Sequence, residues 1–448
     1  VWLPGAVAGM AGLADETLNY DRASSVLSPD AEVAALVDKD LLVADAALIE
    51  RAGAAFAQRP ILPPERAAAL AAPIMAQPSG RTLIVTCMKN EGPFILEWLA
   101  YHRMIGVDDF LIYTNDCDDG TDAMLDALQA KGLVQRRDNP FGDTGTKPQH
   151  AALQAAQSED LVRNAGWIIS MDVDEFINIH VGANRLDDLY AAIGDAGLIS
   201  LTWRLFGNDD IHDFRDRPVI GQFTRCAPQL IRRPHQAWGF KTLFRNQGQW
   251  DGFGVHRPRG FRGGPVKWVN GSGKPMPKSM LRSGWRSGID TYGYDLVTLN
   301  HYAVRSVESF LVKRDRGRVN HVARDQGEAY WFRMNNNDEP DFSIQRHMHG
   351  LDEALADLKS DPAIGALHDA AVAAHRARIR QLMAQPDYGA LYDRLTGARM
   401  QRLSRMHRHF GMNVFLHGPS VVPDRVLEQD VPPDFFFNTA PPDAGAAD

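Results

Sequence analysis

Between Thr82 and Phe176 the chain alternates short apolar runs with helix-forming stretches of about ten residues or more. That rhythm constrains the fold more than any other feature. Residues 82–87, 110–114, 133–136 and 167–171 read as strands, and 93–104, 121–130 and 149–164 as the helices between them. Parallel strands need such crossovers, whereas antiparallel neighbours can be joined by tight hairpins. The predicted class is therefore α/β, with a Rossmann-type, mainly parallel sheet flanked by helices.

The last of these strands carries the chemistry. In Trp167-Ile168-Ile169-Ser170-Met171-Asp172-Val173-Asp174-Glu175-Phe176-Ile177 an apolar run ends in three carboxylates within four positions. Ligands of open α/β sheets gather at the carboxyl ends of strands, so these acids fall where substrates bind. Strand alternation sends Asp172 and Asp174 to one side and Val173 to the other. Acids this close repel one another unless a positive charge offsets them. Two hard oxygen ligands suit Mn²⁺ or Mg²⁺, ions held by one or two carboxylates with substrate phosphates and water. A capping or solvated-turn role for the three acids is the plain alternative.

Composition narrows the classes. The 448 residues, 44% hydrophobic and 23% charged, are those of a globular protein with room for more than one domain. A net charge of −8 argues against a general nucleic-acid binder. The three cysteines, Cys87, Cys117 and Cys226, match neither a disulfide framework nor a zinc site, and a reducing, cytoplasmic setting is expected. No apolar run approaches the roughly 20 residues needed to span a bilayer.

Four segments are expected. Residues 1–80 form an Ala- and Leu-rich helical segment without a catalytic pattern. Residues 81–345 form the catalytic domain, with a nucleotide-binding half over 81–180 and a loop-rich acceptor-binding half over 181–345. Residues 346–418 form a helical region, and 419–448 a Pro-rich tail. Within the helical region, Arg394, Arg399, Arg402, Arg405 and Arg408 make a basic stretch. It reads either as a solvated helix packed on the catalytic domain or as a contact with an anionic membrane face.

Two further connections face the same sheet edge. Cys87-Met88-Lys89-Asn90-Glu91-Gly92-Pro93 precedes a helix, where phosphate or base contacts form, though Asn90 also reads as a simple cap. Asn115-Asp116-Cys117-Asp118-Asp119-Gly120-Thr121-Asp122 is dense in acceptors for a ribose or base, and equally in turn-forming residues.

Taken in order, Val85-Thr86-Cys87-Met88-Lys89-Asn90-Glu91, the Asp116–Asp122 turn and Asp172-Val173-Asp174-Glu175-Phe176 resemble the motifs of family 2-like glycosyltransferases of GT-A fold. The likeness is nearest to their bacterial branch. It implies a nucleotide-sugar donor, UDP- or GDP-linked, and a sugar or lipid-linked acceptor. It places Asn90, Glu91 and Asp116 near the nucleoside, and Asp172 and Asp174 at the ribose and metal. It further implies a late histidine on the metal, His301 first and His256 as the alternative. Lys241 and the run Arg305, Lys313, Arg314, Arg316 and Arg318 supply candidate cations for the diphosphate. An inverting transfer needs a carboxylate to deprotonate the acceptor, and Asp209, Asp210 and Glu175 are the candidates. Alternatives kept open are a metal-dependent phosphohydrolase or nucleotidyltransferase, a glycoside hydrolase built on paired carboxylates, and a non-catalytic carbohydrate-binding scaffold.

Overall fold

The computed structural model describes residues 80–317 and 327–440. The chain divides into two compact units, Val1–Ile74 with Phe342–His347 and, separately, Met75–Asp341 with Met348–Asp448. Everything below concerns the second unit. The expected N-terminal helices, Arg318 and the last residues of the tail lie outside the described residues.

Nine strands form one sheet. They are β1 (Thr82–Met88), β2 (Asp109–Thr114), β3 (Gln135–Asp138), β4 (Trp167–Ser170), β5 (Glu175–Ile179), β6 (Leu198–Leu205), β7 (Phe240–Arg245), β8 (Trp268–Asn270) and β9 (Val297–His301). Their order is β3-β2-β1-β4-β7-β6-β9-β5, with β8 also paired to β6. β3, β2, β1 and β4 run parallel, as the βα rhythm requires. β7 is antiparallel to both β4 and β6, and β5 is antiparallel to β9. The sheet is mostly parallel with β5 and β7 reversed, consistent with a Rossmann-like fold.

Local signals set several boundaries. Helix α1 (Ile95–Met104) follows a 3-10 turn at Gly92–Phe94, with Pro93 in the position where a missing N–H costs least. Gly120, at φ +91°, takes the left-handed conformation that opens α2 (Thr121–Ala130). The helix expected over 149–164 is broken instead into α3 (Pro148–Ala156) and a short helix at Asp160–Asn164. Further along lie α4 (Leu186–Ile193) and α5 (Val307–Asp315). The helical region is divided at Asp361, which follows a helix at Met348–Ser360. Its carboxylate caps α6 (Pro362–Met383) by accepting from Ala363 N at 2.9 Å and Ile364 N at 3.2 Å.

α6 braces the first connection. A Cβ added at Gly92 would lie 2.7 Å from that of Ala371, so Gly92 permits the close approach. Burial of Leu83, Val85, Leu111, Ile168 and Leu198 on one side of the sheet supplies the apolar core.

The basic stretch is three pieces, Pro386–Thr396, Ala398–Ser404 and a turn at His407–His409. Its arginines are engaged within the unit. Arg394 pairs with Glu328, Arg399 with Asp424, Arg405 with Asp210 and Arg408 with Asp338, while Arg402 donates to Leu427 O. These pairings favour the packed reading of the stretch, since a cation already facing a carboxylate has less charge to offer an anionic surface. The tail runs back along it, with Phe437 N donating to His409 O and Gly411 N to Phe437 O, each at 2.8 Å. Among the described residues, no helix is long and apolar enough to cross a membrane.

Candidate active site

The connection from β4 to β5 is four residues long, Met171–Asp174, and it is a turn closed by Glu175 N donating to Asp172 O at 3.1 Å. Asp172 and Asp174 therefore reach the same cavity through a turn, not through strand alternation, and Val173 lines that cavity with them. The cavity, of about 300 Å³, opens at the carboxyl ends of β1 and β4 and takes in Lys89, Glu91, Gln149, Trp203, His256, Trp285, His301, Lys313 and Arg316.

Two strands beyond β4 in the sheet deliver its inner shell, β9 parallel to β6 and β7 antiparallel to it. β9 ends at His301, which pairs in register with Glu175 of β5 and with Leu205 of β6. β7 starts where β4 ends, so Lys241 rises beneath the acids, opposite Leu201. Its ammonium lies 3.2 Å from Asp172 Oδ2 and 3.4 Å from Glu175 Oε2. Lys241 is fully buried. Burial opposes its charge, but Asp172 and Glu175 keep it protonated. It therefore holds the carboxylates from beneath and does not line the cavity.

Glu175 is likewise 0% exposed. One oxygen accepts from Trp203 Nε1 at 2.6 Å and the other from Asp172 N at 2.7 Å. Burial pushes its carboxyl up to about 7, against the pull of Lys241. Both oxygens of Glu175 are thus engaged within the protein, where they brace the turn that carries Asp172. Asp172 is the open member of the trio, its side chain 39% exposed, with Gln149 Nε2 donating to Oδ1 at 3.0 Å.

Asp174 is held from the other side. Lys313 Nζ of α5 donates to its Oδ2 at 2.5 Å and to Ala303 O at 2.8 Å. Burial works against ionisation, yet Lys313 and then His301 hold the carboxyl well below the usual range. Its Oδ1 is buried without a hydrogen-bond partner, 3.6 Å from His301 Nε2. Adjacent octahedral ligands at about 2.1 Å from one ion lie roughly 3.0 Å apart, so this pair would have to close by about 0.6 Å to share Mg²⁺ or Mn²⁺. Among the described residues, no third His, Cys, Asp or Glu joins them closely enough to complete a cluster. Asp172, also expected as a ligand, accepts from Gln149 on one oxygen and faces Lys241 with the other.

The residues expected near a nucleoside are each held by partners within the protein. Glu91 faces the cavity but is clamped by Arg316 and by Arg305, the latter at 2.9 Å. The two guanidiniums overcome its burial and hold its carboxyl low. Asn90, at φ +52°, exchanges hydrogen bonds with Asp118, donating at 2.6 Å and accepting from its N–H at 2.9 Å. It ties the first connection to the second without lining the cavity. Asp116 is exposed, also outside the lining, and 3.7 Å from Lys89 Nζ.

Asp209 and Asp210 stand apart from the cavity. Asp209 accepts from Thr224 Oγ1 at 2.5 Å, and Asp210 pairs with Arg405. Both adopt positive φ, which Asp tolerates better than most residues, so they shape a turn. His256, the alternative ligand, donates from Nδ1 to Phe240 O at 2.9 Å in its neutral tautomer. Burial pushes its imidazole down to about 3.

Sequence reasoning missed Gln149, Trp203 and Trp285. None lies in a motif, and only the pairing of β6, β7 and β9 brings the two tryptophans to the edge.

A mostly parallel sheet gathering carboxylates and cations into one cavity at its carboxyl edge is consistent with a Rossmann-like glycosyltransferase fold. Comparison with known proteins agrees. Residues 84–268 match the sequence profile of Glycosyltransferase family 92. Similar proteins include family 92 glycosyltransferases from Ricinus communis, 34% identical over 107 residues, and Arabidopsis thaliana, 32% identical over 95. These alignments cover 23% and 21% of this chain and 18% and 16% of the relatives. An Oryza sativa subsp. japonica protein of the same description is 31% identical over 108 residues, 24% of this chain and 17% of its own. The chain thus spans less than a fifth of the length of these relatives. The similarity supports a glycosyltransferase, and it points to family 92 and plant proteins in place of the bacterial family 2-like branch.

Proposed function

We propose that this chain transfers a sugar from a nucleotide-sugar donor to a hydroxyl acceptor. The observation that carries the reading is the convergence, in one cavity, of Asp172, Asp174 and His301 with the cations Lys89, Lys313 and Arg316. Carboxylates alone would suit many hydrolases. Three cations beside them suit the two phosphates of a nucleoside diphosphate leaving group.

Asp174 Oδ1 and His301 Nε2 would hold a divalent ion, which when bound would offset charge developing on the diphosphate. Lys313 and Arg316, at the end of α5, bind and orient the phosphates. Lys241 and Glu175 fix the turn that presents Asp172, and Asp172 accepts a hydrogen bond from a substrate hydroxyl. Direct displacement with inversion is the reaction proposed, with Asp172 as the carboxylate open to the hydroxyl proton.

The test is titration calorimetry of UDP, GDP, TDP and CMP with and without Mn²⁺, on wild type and Asp174→Asn. One nucleotide should bind with Mn²⁺ and lose at least about tenfold in affinity in the variant, since a charged ligand is removed. Binding of none of them, in either condition, would refute the donor assignment.

A further inference from the structure

The cavity has two chemically distinct sides. Lys313 and Arg316 lie on the side of α5, where Arg316 also donates to Asn90 O at 3.2 Å. On the other side the surface is aromatic and neutral. Trp203 and His256 stand 5.6 Å apart, His256 and Trp285 5.4 Å apart, and Trp203 and Trp285 6.4 Å apart, between ring centroids. His301 joins the two sides, its ring 4.7 Å from that of Trp203 and its Nε2 3.6 Å from Asp174.

This wall is built to hold its shape. Trp203 Nε1 is fixed on Glu175, and Gly239 lies so near its ring that an added Cβ would meet Cε3 at 2.2 Å. His256 is pinned to Phe240 O. Trp285 accepts from Phe240 N at 3.0 Å through its carbonyl, and Arg286 Nε donates to Ala237 O at 2.9 Å, strapping the segment to the edge of β7. Its indole is only half-buried and faces the cavity.

We propose that this aromatic wall is the acceptor subsite, and that the acceptor is a carbohydrate whose pyranose ring packs on Trp285. The inference rests on the donor reading above. A pyranose presents a face of polarised C–H bonds, which suits the negative face of an indole, while its hydroxyls stay free for polar partners. A diphosphate gains nothing on that wall and much beside the lysine and arginine, so charge alone sorts the two substrates. A ring on Trp285 stands on the His301 side of Asp174, across from the phosphate-binding cations.

The experiment uses the full chain with the nucleotide identified by calorimetry, and its UDP- or GDP-sugars as donors. Acceptors are p-nitrophenyl pyranosides together with free di- and trisaccharides. Transfer to at least one carbohydrate is expected. In Trp285→Ala the KM for that acceptor should rise roughly tenfold, while Trp285→Phe, which keeps an aromatic face, stays within about threefold. Nucleoside diphosphate affinity, measured separately, should be unchanged in both, which also shows that the variants fold. An unchanged acceptor KM in Trp285→Ala overturns the subsite. Donor binding without transfer to any carbohydrate overturns the acceptor class. Failure to bind any nucleotide is different, because it removes the donor reading and this inference with it.

Discussion

Replacing Glu91 by Gln separates the ligand contact expected from sequence from the arginine clamp found in the structure. Its carboxylate, 6% exposed, faces Arg305 and Arg316, whose side chains are 7% and 11% exposed. Little solvent is left to screen the pair, so removing the negative charge leaves two guanidiniums buried together. Breaking a buried ion pair in this way costs about 3–5 kcal/mol. Gln keeps the volume and one acceptor, which places the expected loss near the lower end. Urea unfolding followed by tryptophan fluorescence at pH 7.5 measures it directly. The pH dependence gives a second check. Burial resists ionisation, but Arg316 and Arg305 bring the folded carboxyl below its ordinary 4.5. The contribution is therefore complete above that value and is lost as pH falls through the lower folded value. The gap between wild type and variant should narrow on acidification. A stability change below about 1 kcal/mol, combined with loss of nucleotide affinity, would refute the clamp and make Glu91 a ligand contact.

Glu97 has the opposite sign. Burial raises its carboxyl to about 7, although it accepts from Val219 N at 2.7 Å and Ile220 N at 3.0 Å. The folded state holds that proton more tightly than the unfolded chain, so stability is greatest below about 4.5 and falls as pH rises toward 7. The loss is roughly 3 kcal/mol at 1.36 kcal/mol per pH unit, and Glu97→Gln should flatten that part of the urea-midpoint profile. Asp209→Asn should keep transfer within about threefold, because Asn also tolerates positive φ, whereas loss of a general base costs about 10²–10⁴ in kcat. Gly239→Ala should displace Trp203, lowering stability by about 1–3 kcal/mol and weakening acceptor binding, as read by unfolding and acceptor KM.

The two sides of the site differ in how far they could be read from the chain. α2 lies at 121–130 as expected, because Gly120 and the helix-forming run after it are local signals. The acids at Asp172–Glu175 were equally visible, as was the need for a positive charge near them. That charge is supplied partly by Lys241, 69 positions from Asp172, and by Lys313, 139 positions from Asp174. Nothing in the spacing of either lysine marks it for that task. Asp209 and Asp210 show the converse. They follow a strand, as catalytic acids do, but their partners Thr224 and Arg405 arrive from elsewhere in the fold.

By itself, the sequence determined the α/β class and the acid-bearing turn that follows β4, since periodicity, turns and caps act over a few residues. Only the tertiary structure decided the division of labour among those acids. The reversed strand β7 and the parallel strand β9 bring Lys241 and His301 to the turn, and β6 encloses Glu175 beneath Trp203. Whether a carboxylate is open, paired or enclosed depends on what packs against it, and that depends on contacts between residues far apart in the chain.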